Sequence, residues 1–317
     1  MRRIRMLGCV LGVGGIILAL LFHVLLPSFS FSSSLSDAKP QALSIASSTA
    51  QYQVYSLPHA DVHTLLITVG DSLQSSRNRP IPALSNALET VEQFAQREEA
   101  IAILNAGFFD PLNQKSTSYI TLNRELVADP RQNERLMENP DLLLYLDRIL
   151  NRTELRHYHC QQLERFDLAR HLDPLPANCE IVDAIGGGPQ LLPDLTLEQE
   201  GFFEAQGEVV RDPLGSHQRN ARTAVGLMPN GKMLWVMVAQ KLDLPENSGM
   251  TLAELAEFMK TLGVEKAMNL DGGSSSSLYY DGKAFYGKVN DQEERVERSV
   301  KSVLLVKSVL LLKDKIR

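Results

Sequence analysis

The chain has 317 residues, a formal net charge of −6 and a hydrophobic fraction of 44%, enough apolar side chain to build one large domain or two ordinary ones. Its acidic balance supplies no basic field for nucleic acid, so no nucleic-acid partner is expected. The three cysteines, at 9, 160 and 179, do not have the spacing of a zinc site.

Arg2, Arg3 and Arg5 precede an apolar run from Met6 to Leu26 that only glycines and His23 interrupt. Such a run is long enough to cross a bilayer as one helix, with the arginines on the cytoplasmic side. Residues 1–27 are therefore expected to be a signal anchor or signal peptide, and the remainder to be exported, either held at the membrane or secreted after cleavage. Cys9 precedes most of the apolar run, which argues against a lipoprotein site. Residues 28–51, rich in Ser and Ala and containing Pro40, read as a flexible linker. The folded domain is expected over 52–312.

Tyr52 to Leu57 and Val62 to Val69 have strand composition and are expected to pair. After a polar loop, Leu84, Leu88, Val91 and Phe94 stand at helical spacing and predict a helix over Ala83 to Glu99. Ala100 to Leu104 is a buried-strand run that opens into Asn105-Ala106-Gly107-Phe108-Phe109-Asp110. An Asn at a strand end commonly bonds its own backbone, so this corner alone decides nothing.

From Asn123 to Asn178 charge becomes dense and leucines recur at helical spacing, which predicts a helical insertion serving as an accessory subdomain or lid. His157-Tyr158-His159-Cys160 falls within it. Two histidines at i and i+2 face apart on a helix, which disfavours a metal reading. Cys160 and Cys179 are a disulfide candidate in an exported protein, with two unpaired thiols as the alternative. Asn151-Arg152-Thr153 has the pattern of a glycosylation sequon and is assigned no role.

Ile181 to Ile185 is a further strand entering Gly186-Gly187-Gly188-Pro189-Gln190. No Lys-Ser/Thr follows as in a phosphate-binding loop, and Pro189 replaces the helix start of a dinucleotide fingerprint. Arg222-Thr223-Ala224-Val225-Gly226 leads into another strand, with a hairpin turn at Pro229 to Lys232. An arginine at a strand entrance offers the planar fork that best fits phosphate or carboxylate, although a surface arginine has the same appearance in sequence. Thr251 stands three residues before Glu254 as in a capping box and opens a helix ending at Gly263. Val264 to Leu270 is then a short strand that stops at Asp271-Gly272-Gly273-Ser274-Ser275. Leu278 to Tyr286 forms a hairpin and Val300 to Val306 a closing strand, while the apolar repeat Val309 to Leu312 has no assigned place.

In this order and at these spacings the four corners, at Asn105, Gly186, Arg222 and Asn269, resemble the phosphodiester glycosidase family over about Ile101 to Val306. The resemblance implies an α+β fold with a mixed β-sheet core and flanking helices, hydrolysing the bond between a sugar anomeric carbon and a phosphate. On the same resemblance Asp271, Arg222 and Asn105 are the catalytic candidates. Asp271 would be the base for water or an electrostatic partner of an oxocarbenium-like transition state, and Arg222 would neutralise the departing phosphate. Gly107, Gly187, Gly188, Thr223, Gly272, Gly273, Ser274 and Ser275 are the substrate-binding candidates, with glycine amides and serine hydroxyls as donors. Ala221 stands where relatives often have proline, and the charged insertion is longer than the core pattern. A second carboxylate is sought among Asp110, Asp183 and Asp243. No cofactor is identified, and a divalent cation held among these acids is left open. The expected partner is a carbohydrate-phosphate substrate in an envelope or extracellular polysaccharide or glycoconjugate. A non-catalytic glycan-binding module and a phosphodiesterase or sugar-phosphate transferase using the same pocket are the competing readings.

Overall fold

Antiparallel pairing organises the described residues, as in the hairpin Ala50–Leu57 and Ala60–Thr68. The computed structural model describes residues 45–46, 50–69, 79–206 and 209–307. The expected signal or membrane segment 1–27, most of the linker 28–51 and the repeat at 309–312 lie outside the described residues. Among the described residues no helix is long and apolar enough to cross a membrane.

The largest sheet has seven strands, in the order Ile45–Ala46, Ala50–Leu57, Ala60–Thr68, Lys232–Ala239, Arg222–Leu227, Lys266–Asn269 and Gln190–Leu192. A second sheet runs Lys283–Tyr286, Ser277–Tyr280, Ala100–Asn105, Val300–Lys307, Ile81–Glu89. The third runs Glu125–Ala128, Ile120–Leu122, Cys179–Gly186, Thr153–Cys160, Leu163–Arg170. Among the described residues sheet pairing is present from Ile45, upstream of the boundary expected at Tyr52.

Helices and strands are mixed in this fold, but every strand pair among the described residues is antiparallel, which corrects the expected mixed sheet. Parallel neighbours need a crossover of a dozen or more residues, whereas tight turns here return several strands directly onto their predecessors. Side chains from all three sheets meet in one core that includes the fully buried Trp235, Leu65, Leu104, Ile120, Ile185 and Leu304. Burying each such side chain is worth about 1.5–3 kcal/mol.

The opposite face of the large sheet is covered by the helix Leu252–Thr261, which sets Leu252, Leu255, Ala256 and Met259 against Ala224, Val236 and Val238. Its N-terminus is fixed by the reciprocal Thr251 and Glu254 capping box. A hydroxyl and a carboxylate there satisfy two otherwise orphaned backbone donors.

Two segments differ from their sequence reading. In place of a helix over Ala83 to Glu99, the chain forms the strand Ile81–Glu89 and then the short helix Val91–Glu98, capped by a Thr90 and Gln93 box. The strand lies at a sheet edge, where Pro82 costs no ladder bond.

The 123–178 insertion is also not a helical lid. Short helical turns occupy parts of 130–149, but Thr153–Cys160 and Leu163–Arg170 are paired strands. Its charges look like a solvated helix face because they are matched within and across strands. Buried Arg156 meets Glu154, and His157 lies between Asp183 and Glu164 with Phe166 stacked on its ring. His157 and His159 share one face of a strand, and both reach Glu164. A disulfide joins Cys160 to Cys179, which are directly opposed on neighbouring strands.

Candidate active site

Antiparallel pairing sets Ala224 opposite Asn269, so the start of the strand Arg222–Leu227 lies beside the end of Lys266–Asn269. The amide of Leu270 donates to Thr223 O at 2.8 Å, extending that ladder to the brink of the Asp271 corner. Asn105, at the end of a strand in the second sheet, ties the same place together. Its Nδ2 donates to the main-chain oxygen of Asp271 at 2.6 Å. Its Oδ1 accepts from Thr223 Oγ1 at 2.8 Å and from the Ser277 amide at 2.9 Å. The Asp271 amide completes the seam by donating to Ala106 O at 2.8 Å. Asn105 and Thr223 are buried, and each of their polar atoms here has a protein partner. They set the position of Asp271 and present no free edge to a ligand.

The run Asp271 to Ser274 is partly exposed, while Ala267 to Leu270 before it and Ser275 to Leu278 after it are buried. Asp271 is thus a carboxyl at a small opening in an otherwise packed region. Burial pushes its pKa up from 3.8 to about 6, against the lowering effects of a Ser275 hydrogen bond, the Arg298 charge and the Gly272 amide. A carboxyl poised near neutrality can accept and release protons at working pH.

The glycine corners serve the frame more than the ligand. The amides of Gly187, Gly188 and Gly273 donate to Thr153 O, Asn269 O and Ala221 O at 2.9, 2.8 and 2.9 Å. Gly107 donates to Ser302 Oγ at 3.1 Å. Any side chain at Gly187 would place its Cβ 2.7 Å from Asn269 O, so glycine is required there by close backbone approach. Among the expected oxygen-binding amides, Gly272 alone points to a reacting group, the Asp271 carboxyl itself.

Arg222 has a different place from the one its sequence suggests. Its Nε donates to Met250 O at 2.9 Å, Nη1 to Leu214 O at 2.8 Å, and Nη2 to Gly215 O and Gln218 O at 2.7 and 2.8 Å. The buried guanidinium is encircled by carbonyls, and desolvation pushes its pKa down to about 10. It closes the 212–220 loop onto the strand entrance.

The cation that faces Asp271 is Arg298. It lies two residues before the closing strand, donates from Nη1 to Ser274 Oγ at 3.1 Å, and sits over the Phe109 ring at 5.6 Å. The sequence reading passed over it because Glu293 to Arg298 looks like a solvated charge run; its one local signal is an arginine at a strand entrance. Lys288 donates from Nζ to Asn220 Oδ1 at 3.2 Å.

The candidates for a second carboxylate are engaged elsewhere. Asp110 caps Leu112 and pairs with Arg135 at 2.7 Å, and Asp183 accepts from the Asn123 amide and meets His157; these contacts hold both acids below the ordinary carboxylate range despite burial. Asp243 lies in the exposed turn after Ala239. Among the described residues no group of three or more His, Cys, Asp or Glu side chains is arranged to hold a metal ion.

The near-neutral Asp271 carboxyl thus stands with the Arg298 charge and the Ser275 hydroxyl at a corner where antiparallel sheets converge. Residues 98–307 match the phosphodiester glycosidase family, and the chain belongs to that family. A comparison with the curated proteins finds no match.

Solved structures share the fold. The catalytic domain of zebrafish N-acetylglucosamine-1-phosphodiester α-N-acetylglucosaminidase, auto-inhibited by its pro-peptide, is similar with a TM-score of 0.57 and 19% identity, covering 85% of this chain and 82% of that one. A hypothetical protein from Synechocystis has a TM-score of 0.57 and 16% identity over 84% of this chain; the shared part is 64% of that protein, less than two thirds of it. A Burkholderia pseudomallei protein whose name marks it for export has a TM-score of 0.55 and 16% identity, over 83% of this chain and 75% of that one.

Proposed function

We propose that the chain hydrolyses a sugar-1-phosphodiester on the anomeric side, with Asp271 as general base. The observation that carries this reading is the Asp271 carboxyl, raised to about 6 by burial and set beside Arg298 and Ser274. Ionised Asp271 takes a proton from water as the water oxygen attacks the anomeric carbon. The bond from that carbon to the phosphate oxygen breaks, and the phosphomonoester leaves with the electron pair. Phosphate is already a good leaving group, so charge neutralisation matters more than a strong general acid. Arg298 takes the phosphate-neutralising role expected of Arg222, because its guanidinium is oriented by Ser274 and Phe109 without being enclosed by carbonyls.

Membership of the family supports the bond type, and the zebrafish enzyme's name supports an N-acetylglucosamine phosphodiester as the first substrate to try. The Cys160–Cys179 disulfide suits an exported protein. The test is incubation of the purified chain with N-acetylglucosamine α-linked through phosphate to an alkyl group, with and without chelator. Free sugar and an intact phosphomonoester are the expected products. Sugar-1-phosphate would identify a phosphodiesterase instead, and binding without turnover would identify a glycan-binding module.

A further inference from the structure

Arg152, the arginine of the Asn-Arg-Thr triplet, is partly open to solvent and stacks on Phe202, whose ring packs against Gly188. Its Cζ lies 3.7 Å from the centroid of the buried Phe202 ring and 6.0 Å from that of Phe108. Its Nε donates to Glu200 O at 3.1 Å. Stacking and this single hydrogen bond fix the plane of the guanidinium. Among the described residues neither terminal nitrogen has a hydrogen-bond or carboxylate partner in the protein, so a planar two-donor edge is held in place.

The nearby Glu200 does not neutralise Arg152 by direct pairing. Its buried carboxylate already accepts from the Thr153 amide at 2.8 Å, Thr153 Oγ1 at 2.7 Å, Thr196 Oγ1 at 2.5 Å and the Gln190 amide at 2.8 Å. Burial pushes the Arg152 pKa down to about 9, against the raising effect of the Glu200 charge and with a smaller lowering from the Arg211 charge, and the group stays charged at neutral pH. A desolvated cation gains from an oxyanion more than a surface arginine does.

This edge neighbours the Asp271 corner without being part of it. The carbonyl of Thr153, next in the chain to Arg152, accepts from Gly187, whose backbone packs on Asn269 O. Phe108, on the other side, follows two residues after Ala106, which accepts from the Asp271 amide. Arg152 stands against Phe202 and Phe108, whereas Arg298 stands over Phe109 and bonds Ser274, so the two guanidinium groups rest on different side chains.

We propose that Arg152, on its Phe202 and Phe108 platform, is a receptor for a second oxyanion of the substrate, one unit away from the scissile phosphodiester. The substrate class is then an anionic glycoconjugate or polymer whose neighbouring unit bears a phosphate or a carboxylate. This rests on the phosphodiester reading of the Asp271 corner, and its test is made by binding so that it does not depend on turnover.

The probes are propyl phosphate esters carrying at the far end a hydroxyl, a carboxylate or a second phosphate, titrated calorimetrically into the full chain, Arg152→Gln and Arg152→Lys. The wild-type chain is expected to bind one of the two esters with a second anionic group at least about tenfold more tightly than the hydroxyl ester, and the better of the two identifies the oxyanion. Arg152→Gln removes that preference, and Arg152→Lys restores only part of it because a lysine has neither the fork nor the stacking plane. Equal affinity of the wild-type chain for all three esters, or a preference retained in Arg152→Gln, overturns the proposal. Should the sugar-phosphodiester assay fail while this preference is found, the function assigned to Asp271 is wrong and the anion receptor stands.

Discussion

The side chain of Asn105 donates to the main-chain oxygen of Asp271 at 2.6 Å across 166 residues of sequence. The bond joins the end of a strand in one sheet to the corner that follows a strand in another. Because Asn105 Oδ1 also accepts from Thr223 and Ser277, one buried amide holds three segments in register around the candidate carboxyl. Under the proposed function Asn105 is a positioning residue, acting on chemistry through Asp271.

Replacing Asn105 by alanine leaves Thr223 Oγ1, the Ser277 amide and Asp271 O without their partner. Each buried polar group left unpaired costs about 1–3 kcal/mol, so Asn105→Ala is expected to lower the melting temperature and to reduce turnover with it. A cycle with Thr223→Val measures the network, with a coupling energy of at least about 0.5 kcal/mol expected. Strict additivity, with an unchanged melting curve for Asn105→Ala, would mean that Asn105 meets substrate directly.

Arg222 is expected to behave as a keystone of the fold. Its four carbonyl partners span the 212–220 loop and Met250, and a lysine ammonium cannot reach them in one plane. Arg222→Lys should cost at least about 3 kcal/mol, given that hydrogen bonds to a buried charge are each worth about 1.5–3 kcal/mol. Denaturant unfolding checks this. A variant with wild-type stability and a raised KM for phosphodiesters would return Arg222 to the phosphate role.

The strand ends and their glycines were legible in the sequence because each couples an apolar run to an abrupt polar stop, and the Thr251 to Glu254 cap was legible because its signal is local. The partners of those corners were not. Whether Arg222 meets a ligand or four carbonyls depends on where Leu214, Gly215, Gln218 and Met250 fold back, and no short-range pattern encodes that. Arg298 was hidden in a charge run for the same reason. The strand Thr153–Cys160 reads as helix in the sequence because its buried charges are paired, Arg156 with Glu154 on the same strand and His157 with Asp183 on the next, which makes a sheet interior look like a solvated face. Periodicity reports which way side chains alternate; it is silent on which of them have found an opposite charge.

For Arg298 the prediction concerns rate and pH together. Arg298→Gln removes the charge placed beside Asp271 and Ser274, and a loss of about 100-fold in kcat/KM for a sugar phosphodiester is expected, as for removal of one preorganised donor. The Arg298 charge also lowers the Asp271 pKa. Without it the alkaline-going rise of the pH–rate profile should move to higher pH. A tenfold or smaller loss with an unmoved profile would place Arg298 outside the reaction.

Asp271 links activity to stability in opposite directions. Its folded pKa is raised from 3.8 to about 6, so the folded state disfavours the charged form relative to the unfolded chain. The contribution of the protonated carboxyl to stability is fully present below the unfolded value and is lost as pH rises through about 6. Removing the charge with Asp271→Asn should therefore stabilise the protein above that pH, by at most about 3 kcal/mol and by about 1–2 kcal/mol once solvent reaching the open corner is allowed for. Turnover should be abolished in the same variant, while wild-type kcat/KM rises with pH through about 6 as the base ionises. Melting curves of both proteins at pH 5 and pH 8, about one to two units either side of that value, separate the two roles open to Asp271. A reactive carboxyl held at a cost to the fold gives a variant that melts higher at the upper pH and is inactive. A turn residue whose carboxylate supports the fold through Ser275 and Gly272 gives a variant that melts lower at the upper pH, and that outcome would remove Asp271 from the mechanism.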